Sequence, residues 1–480
     1  MYEMLSQLIL YHQLEQDSIL RTFAEVCDAA AGEAAVTPER RRELVDQLNA
    51  GVRELLLVAT SYGFNKNLWR DYLTFLILTD ENSFSLTAEK QEMGEGSVKH
   101  FAGQDMEMFC RLFTYDFSAV ESALGTDCFS VITNYKAVPK RAQNFNRNVS
   151  RLVRETSDRI AGVLEEKGLV AGSGERTEVA DEKIRSAAGK LLEIISEFYL
   201  TYGVGMFGLN RAFRIQELPA FSGPESMRIN HLPVKGPEGA GERIIFTPIN
   251  NTEEVRLADL VGYEVQKQRL RENTEAFLRG FRANNCLLYG DAGTGKSTSI
   301  KALLTEYYDQ GLRMIQLYKH QMQSLSAVIG EIKHRNYKFI IYMDDLSFED
   351  FEVEYKYLKA VIEGGLENRP DNVLIYATSN RRHLIKETWN DTADVDLEKH
   401  RGDTLQEKLS LVDRFGITIP YMKPGRKEYE EIVRELVKRD GRISLGEEEV
   451  MKRAQSWEVA HGGFSGRVAR QFVDDLAGRI

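Results

Sequence analysis

A glycine-rich turn between an apolar run and a helix-forming stretch is the feature that most constrains how this chain folds. The segment reads NNCLLYGDAGTGKSTSIK over residues 284 to 301, with glycines at Gly290, Gly293 and Gly295. Glycine lets successive backbone N–H groups point inward around an anion, and the following helix directs its positive end to the same point. Lys296 supplies a point charge for the β- and γ-phosphates, and the Ser297 hydroxyl is a ligand for Mg²⁺. The segment therefore predicts a phosphate-binding loop.

This loop matches the pattern G-x-x-x-x-G-K-[ST] from residue 290 to residue 297. At average glycine usage the pattern arises by chance in roughly two chains of this length in a hundred. An ordinary glycine-rich turn is the alternative, and the strand before it and the helix after it disfavour that interpretation. The nucleotide-binding residues that we expect in this segment are Gly290, Asp291, Ala292, Gly293, Thr294, Gly295, Lys296, Ser297 and Thr298.

Composition indicates a globular protein with more than one domain. The chain has 480 residues, of which 42% are hydrophobic and 28% are charged. That length predicts about two to four domains. The formal net charge of −11 argues against a surface that coats nucleic acid as a whole, but it leaves a local basic groove open.

The sequence predicts neither a membrane span nor a secretion signal. No stretch approaches the ~20 uncharged apolar residues that a membrane span needs. The first residues lack a basic segment followed by a long apolar core. The cysteines form no C-x-x-C pair and no metal-ligand cluster; they are Cys27, Cys110, Cys128 and Cys286. These features predict buried thiols in a reducing cytoplasm.

A proline- and glycine-rich segment separates two regions of different pattern. Five of the ten prolines lie between Pro219 and Pro248, so we predict a linker over residues 214 to 250. Residues 1 to 213 show helical periodicity with almost no strand-like alternation. They predict an α-helical N-terminal domain, with a break over residues 168 to 183.

After the linker, strands alternate with helices. Short β-branched or aromatic runs predict five strands, at residues 285 to 289, 313 to 318, 339 to 343, 373 to 377 and 416 to 420. This alternation over residues 251 to 423 implies a five-stranded parallel sheet with helices on both faces. Three amphipathic stretches in residues 424 to 480 predict a small helical domain packed onto it.

Two acids follow the third predicted strand. The run FIIYMDD ends in Asp344 and Asp345, at the edge where open α/β sheets place their ligand chemistry. We expect Asp344 to hold Mg²⁺ through its water shell and Asp345 to orient or deprotonate the attacking water. The alternative is that both acids cap the next helix.

The next strand ends in ATSNRR. This places Asn380 at the tip of a segment predicted to lie between the phosphate-loop strand and the Asp344 strand. An amide there can hydrogen-bond both the γ-phosphate and the water, although a helix-capping role for Ser379 or Asn380 is compatible with the same pattern. Arg381 and Arg382 are either solvated residues or contacts to a neighbouring subunit.

Two further arginines are candidates for contacts to the phosphates. Arg414 precedes the final strand, where it could reach a nucleotide held by an adjacent copy as an arginine finger, or form a local salt bridge with Asp413 or a neighbouring acid. Arg467 begins a helix near the C-terminus and could report which nucleotide is bound, with Arg470 one turn later as the fallback.

In order, LADLVGYE, GDAGTGKS, FIIYMDD, YATSN, DRFG and GGFSGR resemble the elements of AAA+ ATPases: the adenine-side box, Walker A, Walker B, sensor 1, the arginine-finger box and sensor 2. The segments around them resemble predicted bacterial AAA+ ATPases catalogued as a domain of unknown function with a helical N-terminal region. The likeness covers residues 245 to 480 well. It implies an AAA+ module with a helical lid, binding and hydrolysis of ATP with Mg²⁺, base contacts from Val261 and Gly262, and assembly into rings or arcs.

The chain departs from the AAA+ pattern in three places. The second Walker B acid is Asp345 rather than glutamate, so its carboxylate is withdrawn by about one methylene, and ~1 Å of misplacement can cost about a hundredfold in rate. The loop after the second strand lacks the aromatic, apolar, glycine triplet of threading unfoldases. A polar insertion over residues 389 to 403 is either a solvated loop or an element that contacts a partner.

Three functions remain open. The first is an ATP-hydrolysing remodelling or loading factor that oligomerises with ATP and contacts an unknown protein partner through its N-terminal domain. The second is an ATP-gated scaffold or switch that turns over slowly or not at all. A DNA-associated loader or initiator is the third, disfavoured by the acidic charge.

A GTPase would need an N-K-x-D base-reading motif, and FNKNLW at residues 64 to 69 does not supply it. A small-molecule kinase would not explain the order of Asn380, Arg414 and Arg467.

Overall fold

The computed structural model describes residues 1–32, 37–92, 94, 96–137, 147–169, 178–218, 233–235, 243–250, 252, 254–348, 354–363, 370–381, 384 and 411–479. The chain divides into two compact units, Met1–Asn210 and Arg211–Ile480. Arg382, the insertion at residues 389 to 403 and the centre of the predicted break at residues 168 to 183 lie outside the described residues.

The first unit is helical throughout its described residues, apart from short turns and one backbone bridge between Lys66 and Tyr135. Its α-helices are α1 (Tyr2–Ser6), α2 (Ser18–Gly32), α3 (Pro38–Tyr62), α4 (Leu68–Thr79), α5 (Ser83–Ala88), α6 (Ser97–Phe113), α7 (Ser118–Leu124), α8 (Cys128–Thr133), α9 (Arg147–Glu166), α10 (Glu178–Tyr202) and α11 (Gly205–Leu209). The predicted helical N-terminal region is therefore confirmed.

One apolar core joins the helices of this first unit. The wholly buried α4 residues Trp69 and Tyr72 belong to it, and the indole N–H of Trp69 donates to the carbonyl of Leu112 in α6. The buried Asp105 carboxylate accepts backbone N–H groups from residues 9, 10 and 11, at 2.8, 2.8 and 3.1 Å. These hydrogen bonds offset part of the cost of burying the carboxylate, whose pKa burial still raises.

The second unit is built on a mixed sheet. Its strands are β1 (Ala212–Leu218), β2 (Pro233–Lys235), β3 (Arg243–Pro248), β4 (Cys286–Gly290), β5 (Leu312–Gln316), β6 (Lys338–Met343), β7 (Val373–Ser379) and β8 (Ile417–Tyr421). Among the described residues their order is β2-β3-β1-β5-β6-β7-β4-β8. From β1 to β8 the neighbouring strands run parallel, whereas β3 is antiparallel to both β1 and β2.

The predicted five-stranded sheet was wrong in strand number. Residues 214 to 250, expected as a linker, contribute most of β1 and all of β2 and β3, while residues 219 to 232 and 236 to 242 lie outside the described part. Pro233 begins β2 and Pro248 ends β3, and strand ends in an edge pair are places where proline is tolerated because few ladder N–H groups are needed there. The five strands that were predicted correspond to β4 to β8.

Helices cover the sheet and follow it. Around the sheet lie α12 (Glu264–Leu278), α13 (Lys296–Tyr307), α14 (Leu325–Ile332) and α15 (Glu354–Glu363). After β8 come α16 (Arg426–Asp440), α17 (Glu447–Ala460) and α18 (Gly466–Gly478), which share a separate apolar core. The predicted α/β module with a C-terminal helical lid is confirmed.

Strand β7 is central to the position of the site. Every residue from Val373 to Ser379 is buried, as expected for a strand of a parallel sheet that is covered on both faces. It pairs with β4 on one side and with β6 on the other. The carboxyl ends of these three strands therefore meet at one edge of the sheet.

Candidate functional site

The turn after β4 carries the phosphate-loop pattern and has close neighbours on three sides. Gly290, Gly293 and Gly295 all have positive φ, of 131°, 76° and 93°. A Cβ at Gly290 would overlap the backbone of Tyr421 in β8, and a Cβ at Gly295 would lie 2.7 Å from Leu260 Cδ2. A Cβ at Gly293 would lie 3.1 Å from the Arg467 Cβ. Glycine at these positions therefore allows both the backbone conformation of the loop and the close approach of neighbouring residues.

Lys296, the first residue of α13, is 6% exposed and lies across this loop. Its Nζ donates to the carbonyl oxygens of Gly290 and Asp291, at 2.9 and 2.6 Å. It also donates to Asn380 Oδ1 at 3.1 Å. Burial lowers the pKa of the Lys296 ammonium, and the carboxylates of Asp291 and Asp345 offset this only in part. Protein groups therefore balance the positive charge of Lys296 only in part, and an anion bound in the loop would stabilise it.

Ser297 and Asp344 are in direct contact. The Ser297 hydroxyl donates to Asp344 Oδ1 at 2.6 Å, and the Thr378 hydroxyl of β7 donates to the same oxygen at 2.7 Å. Burial raises the pKa of Asp344, but these hydrogen bonds outweigh it, so that the pKa lies below its ordinary value. A hydroxyl and an ionised carboxylate this close together are the oxygen donors that Mg²⁺ accepts beside phosphate oxygens and water.

Asp345 follows with a left-handed backbone, at φ 50°. Its N–H donates to the Thr378 hydroxyl at 2.9 Å, and its Oδ1 accepts the side-chain amide N–H of Asn380 at 2.7 Å. Since Asn380 also accepts from Lys296, its amide links the loop lysine to the second acid. These predicted site residues, from the ends of β4, β6 and β7, are thus brought together.

Thr378 is a site residue that the sequence analysis did not identify. It is 2% exposed and contacts both acids, one through its hydroxyl proton and the other through its hydroxyl oxygen. The motif YATSN contains it, but only the pairing of β6 with β7 shows that it faces the acids.

The remaining loop residues have varied surroundings. The Asp291 carboxylate accepts the backbone N–H of Lys423 at 2.8 Å, and the buried Thr294 hydroxyl donates to the Asp291 carbonyl at 2.9 Å. Ala292 is exposed, and Thr298 is half-buried. These contacts tie the loop to the segment that joins β8 to α16.

Val261 and Gly262 lie in the segment between a short turn, Leu257–Asp259, and α12. Val261 packs on the apolar core of α16 to α18, and Gly262 is exposed at φ 79°. The buried Lys267 donates to the Leu260 carbonyl at 2.7 Å and holds this segment in place. The segment therefore contacts both the helical lid and, through Leu260, the phosphate loop.

Arg467 lies against the phosphate loop at the start of α18. Its backbone N–H donates to the Gly293 carbonyl at 3.2 Å, and Ser465 caps the helix by accepting the N–H of Val468. The Arg467 side chain is exposed, and its charge contributes to the lowered pKa of Lys296. Arg470 is also exposed, one turn later.

Arg414 forms an ion pair with Glu363, the last residue of α15. The alternative in the sequence analysis was a local salt bridge with Asp413 or a neighbouring acid, whereas the acid paired with Arg414 here is distant in sequence. The structure does not bring Arg414 to the phosphate loop by any described contact. Arg381 is exposed, with its backbone N–H donating to the Ser379 hydroxyl at 3.1 Å.

The strand order, the phosphate loop after β4 and the helical bundle after β8 define a protein with the AAA+ fold. The family model described as "Protein of unknown function (DUF815)" matches residues 238–480, and the chain belongs to that family. A comparison with curated proteins found no match.

Three solved structures are similar to somewhat less than half of the chain. The AAA domain of FIGL-1, in complex with ADP, has 18% sequence identity and a TM-score of 0.33, over 47% of this chain and 74% of that chain. A mutant of Thermotoga maritima RuvB has 16% identity and a TM-score of 0.32, over 46% and 64%. The Thermotoga maritima RuvB Holliday junction branch migration motor has 15% identity and a TM-score of 0.28, over 46% and 72%.

Proposed function

We propose that this chain binds ATP with Mg²⁺ at the loop after β4, hydrolyses it, and uses nucleotide-dependent assembly to remodel or load a protein partner. One observation carries the proposal: Lys296, Asn380 and Asp345 are joined by two side-chain hydrogen bonds where three neighbouring strands end. A phosphate-binding cation, a polar amide and an acid in contact are the groups that hydrolysis of a terminal phosphate needs.

Binding would rest on the loop and on the first turn of α13. The backbone N–H groups at the start of α13 and the Lys296 ammonium offer positive charge to the β- and γ-phosphates. Ser297 and Asp344 would hold Mg²⁺, which when bound neutralises charge on the phosphate oxygens. Lys296 would exchange the carbonyls of Gly290 and Asp291 for phosphate oxygens, so that no buried charge is left unpaired.

Hydrolysis would use Asp345 and Asn380. In that step a water oxygen bonds to the γ-phosphorus, the bond to the β–γ bridging oxygen breaks, and the water proton passes to the Asp345 carboxylate. Asn380 can orient the water or the γ-phosphate through the amide that now contacts Asp345. Since a carboxylate has two oxygens, Asp345 can accept the water proton while its Oδ1 keeps this amide contact.

A slowly hydrolysing switch is the second candidate. The observation that favours it is the short side chain of Asp345, whose Oδ1 is occupied by the Asn380 amide at 2.7 Å. An acid that is both shorter than glutamate and already paired would activate water poorly. In that case ATP would change the conformation of the chain with little turnover.

The partner and the assembly belong to the proposal as well. We place an unknown protein partner on the helical unit Met1–Asn210 and a nucleotide contact in trans on Arg414. Arg414 would have to leave Glu363 to act as a finger on a neighbouring copy, so assembly and this ion pair compete. Arginine fingers contribute about 10³ to 10⁵ in rate.

Binding and turnover separate the two candidates. We expect wild-type protein to bind ATP and release phosphate in a Mg²⁺-dependent manner, Lys296→Ala to lose binding, and Asp345→Asn to bind without turnover. The matched control is Lys452→Ala, which changes an exposed lysine in α17 and should behave as wild type.

Calorimetric titration measures the binding of ATP, and phosphate release measures its turnover. Binding without release in the wild type supports the switch, and binding by Lys296→Ala equal to wild type contradicts the assigned site.

Mixing experiments test the trans finger. Arg414→Ala and Asp345→Asn should each be inactive alone, and a mixture of the two should recover part of the activity because some interfaces then combine an intact acid with an intact arginine. Light scattering establishes that the two variants assemble together. No recovery in a co-assembled mixture would count against a shared site.

A further inference from the structure

We infer that Thr378 is a positioning residue that directs the two Walker B acids of this site to different tasks. The inference rests on the proposed function, because it assigns a role within that nucleotide site. Its basis is a single buried hydroxyl that contacts the Asp344 side chain and the Asp345 backbone at once.

The hydrogen bonds of Thr378 use both functions of the hydroxyl. Its proton is donated to Asp344 Oδ1 at 2.7 Å, and its oxygen accepts the N–H of Asp345 at 2.9 Å. A hydroxyl has one proton to donate, so the donation to the carboxylate excludes donation elsewhere. With 2% of Thr378 exposed, water does not compete effectively for either bond.

With these two bonds in place, the two carboxylates point to different parts of the site. Asp344 Oδ1 is held beside the Ser297 hydroxyl, where the metal ligands are expected. Asp345 turns into a left-handed conformation, at φ 50°, and its carboxylate contacts Asn380 instead. That conformation is uncommon for a residue with a side chain. The Asp345 N–H bond to the Thr378 hydroxyl holds the backbone there, together with the bond from the Leu346 N–H to the Thr378 carbonyl at 2.7 Å.

Strand pairing explains why Thr378 can reach both acids. In the pairing of β6 with β7, Met343 lies opposite Ala377. Because the two strands are parallel, the next residues, Asp344 and Thr378, lie side by side. Strand β7 continues the pairing on its other side, where Thr378 lies opposite Leu288 of β4. Thr378 is therefore held by the interior of the sheet rather than by a loop.

The consequence is specific to steps that involve Mg²⁺ and water. Loss of the hydroxyl would leave the Asp344 carboxylate with its bond from Ser297 but without that from Thr378, and would remove one of the bonds that hold the Asp345 backbone. Thr378 has no described hydrogen bond to Lys296 or to the phosphate loop. Groups that orient metal ligands typically change metal affinity or activity by about 10- to 100-fold when removed. Nucleotide binding without Mg²⁺ should not depend on Thr378.

The test compares Thr378→Val, which preserves shape, with Thr378→Ser, which preserves the hydroxyl. Thr274→Val is the matched control, because it removes another buried hydroxyl of the same unit, one that bonds to the Leu270 carbonyl and the Tyr376 hydroxyl. For each full-length variant, ATP affinity is measured by calorimetry in EDTA and over a Mg²⁺ titration, and phosphate release is measured at saturating ATP.

Thr378→Val should bind ATP in EDTA as tightly as wild type. Its affinity for ATP should still increase with Mg²⁺, but the midpoint of that increase should lie at an about tenfold higher Mg²⁺ concentration. Its kcat should fall by about 10- to 100-fold. Thr378→Ser should recover most of both, and Thr274→Val should change neither. Equal Mg²⁺ midpoints for Thr378→Val and wild type overturn the inference alone, as does a serine variant as impaired as the valine variant. A wild-type protein that binds no ATP overturns the proposed function, and this inference with it.

Discussion

At Gly290, close packing against neighbouring residues requires glycine in the phosphate-binding motif, in addition to any requirement of a bound ligand. The Gly290 φ of 131° lies outside the conformations that other residues adopt easily. The position of a Cβ at Gly290 is already occupied by the backbone of Tyr421 in the paired strand β8. The residue is therefore needed for the sheet to close around the loop, whether or not a nucleotide is bound.

We expect Gly290→Ala to destabilise the protein more than a glycine substitution with free space around it. Gly280→Ala is the control, since Gly280 has φ 81° and a Cβ there would lie in open space. The unfavourable backbone alone should cost about 1 to 2 kcal/mol in Gly280→Ala, and overlap with Tyr421 should add about 1 to 3 kcal/mol in Gly290→Ala. Scanning calorimetry without nucleotide measures both, and equal losses would refute the role in packing.

The sequence predicts the residues of the candidate site that belong to a motif, and it does not indicate Thr378, whose position depends on strand register. Lys296, Ser297, Asp344 and Asn380 were predicted because each follows a recognisable strand or turn, and parallel strands end at one edge. Thr378 was missed because its role follows from the pairing of β6 with β7, and no spacing in the sequence specifies that pairing.

At the scale of elements, Arg439 of helix α16 contacts the segment that precedes α12 through hydrogen bonds. The Arg439 guanidinium donates to the carbonyl oxygens of Asp259 and Ala258, at 2.8 and 3.0 Å. It also pairs with Glu435, one turn earlier in α16. Since the Leu257–Asp259 turn leads directly to Val261 and Leu260, this arginine connects the helical lid to the expected base-binding segment.

Arg439→Ala should therefore cost more than loss of a surface ion pair. Arg453→Ala is a matched control, because Arg453 pairs with Glu449 in the same i,i+4 geometry within α17 and has no described backbone contact beyond its own helix. We expect about 1 kcal/mol for Arg439→Ala and below about 0.5 kcal/mol for Arg453→Ala. Free energies of unfolding from urea titrations measure the difference. Arg439 also lies 3.5 Å from the Asp259 carboxylate, so equal values would show that its contacts to the Leu257–Asp259 turn contribute nothing.

Most elements of the second unit could be predicted from periodicity. The strands β4 to β8 lie within two residues of their predicted positions, and α16 to α18 coincide with the three amphipathic stretches. Strand β2 could not be predicted, because a three-residue edge strand that begins with Pro233 carries almost no alternation of its own. Such a strand acquires its conformation from β3, which pairs with it along its whole length. Strands β1 and β3 were missed because the prolines and glycines around them indicated a linker, although β1 alternates between buried Phe213 and Ile215 and exposed Arg214 and Gln216.

At the scale of the whole molecule, each unit has its own core. The apolar cluster of the first unit contains only residues up to Leu209, and those of the sheet and of the helical lid contain only residues from Ala212 onward. Among the described residues, no helix is long and apolar enough to cross a membrane. The free cysteines are distributed over both cores: Cys27 and Cys110 are buried in the first unit and Cys286 in the second.

Thiol reactivity should report on both cores. Burial raises the pKa of Cys27, Cys110 and Cys286 to about 12, whereas an unfolded cysteine has a pKa of about 8.5. At pH 8 a folded thiol is therefore ionised in about one molecule in 10⁴, against about one in four when unfolded. Because folding raises these pKa values, the folded state binds more protons above pH ~8.5, and stability should fall as pH rises beyond that value.

With a disulfide reagent at pH 8, we expect one fast-reacting thiol in the native protein, the half-buried Cys128, and three that react only as urea unfolds the chain. Cys128→Ser should remove the fast reaction and leave the other three unchanged. Mass spectrometry of the labelled peptides assigns each thiol to its unit, so that Cys286 reports the opening of the sheet and Cys110 that of the helical unit. Rapid labelling of Cys286 in the native state would contradict a closed core beneath the phosphate loop, since this cysteine begins the strand that carries the loop.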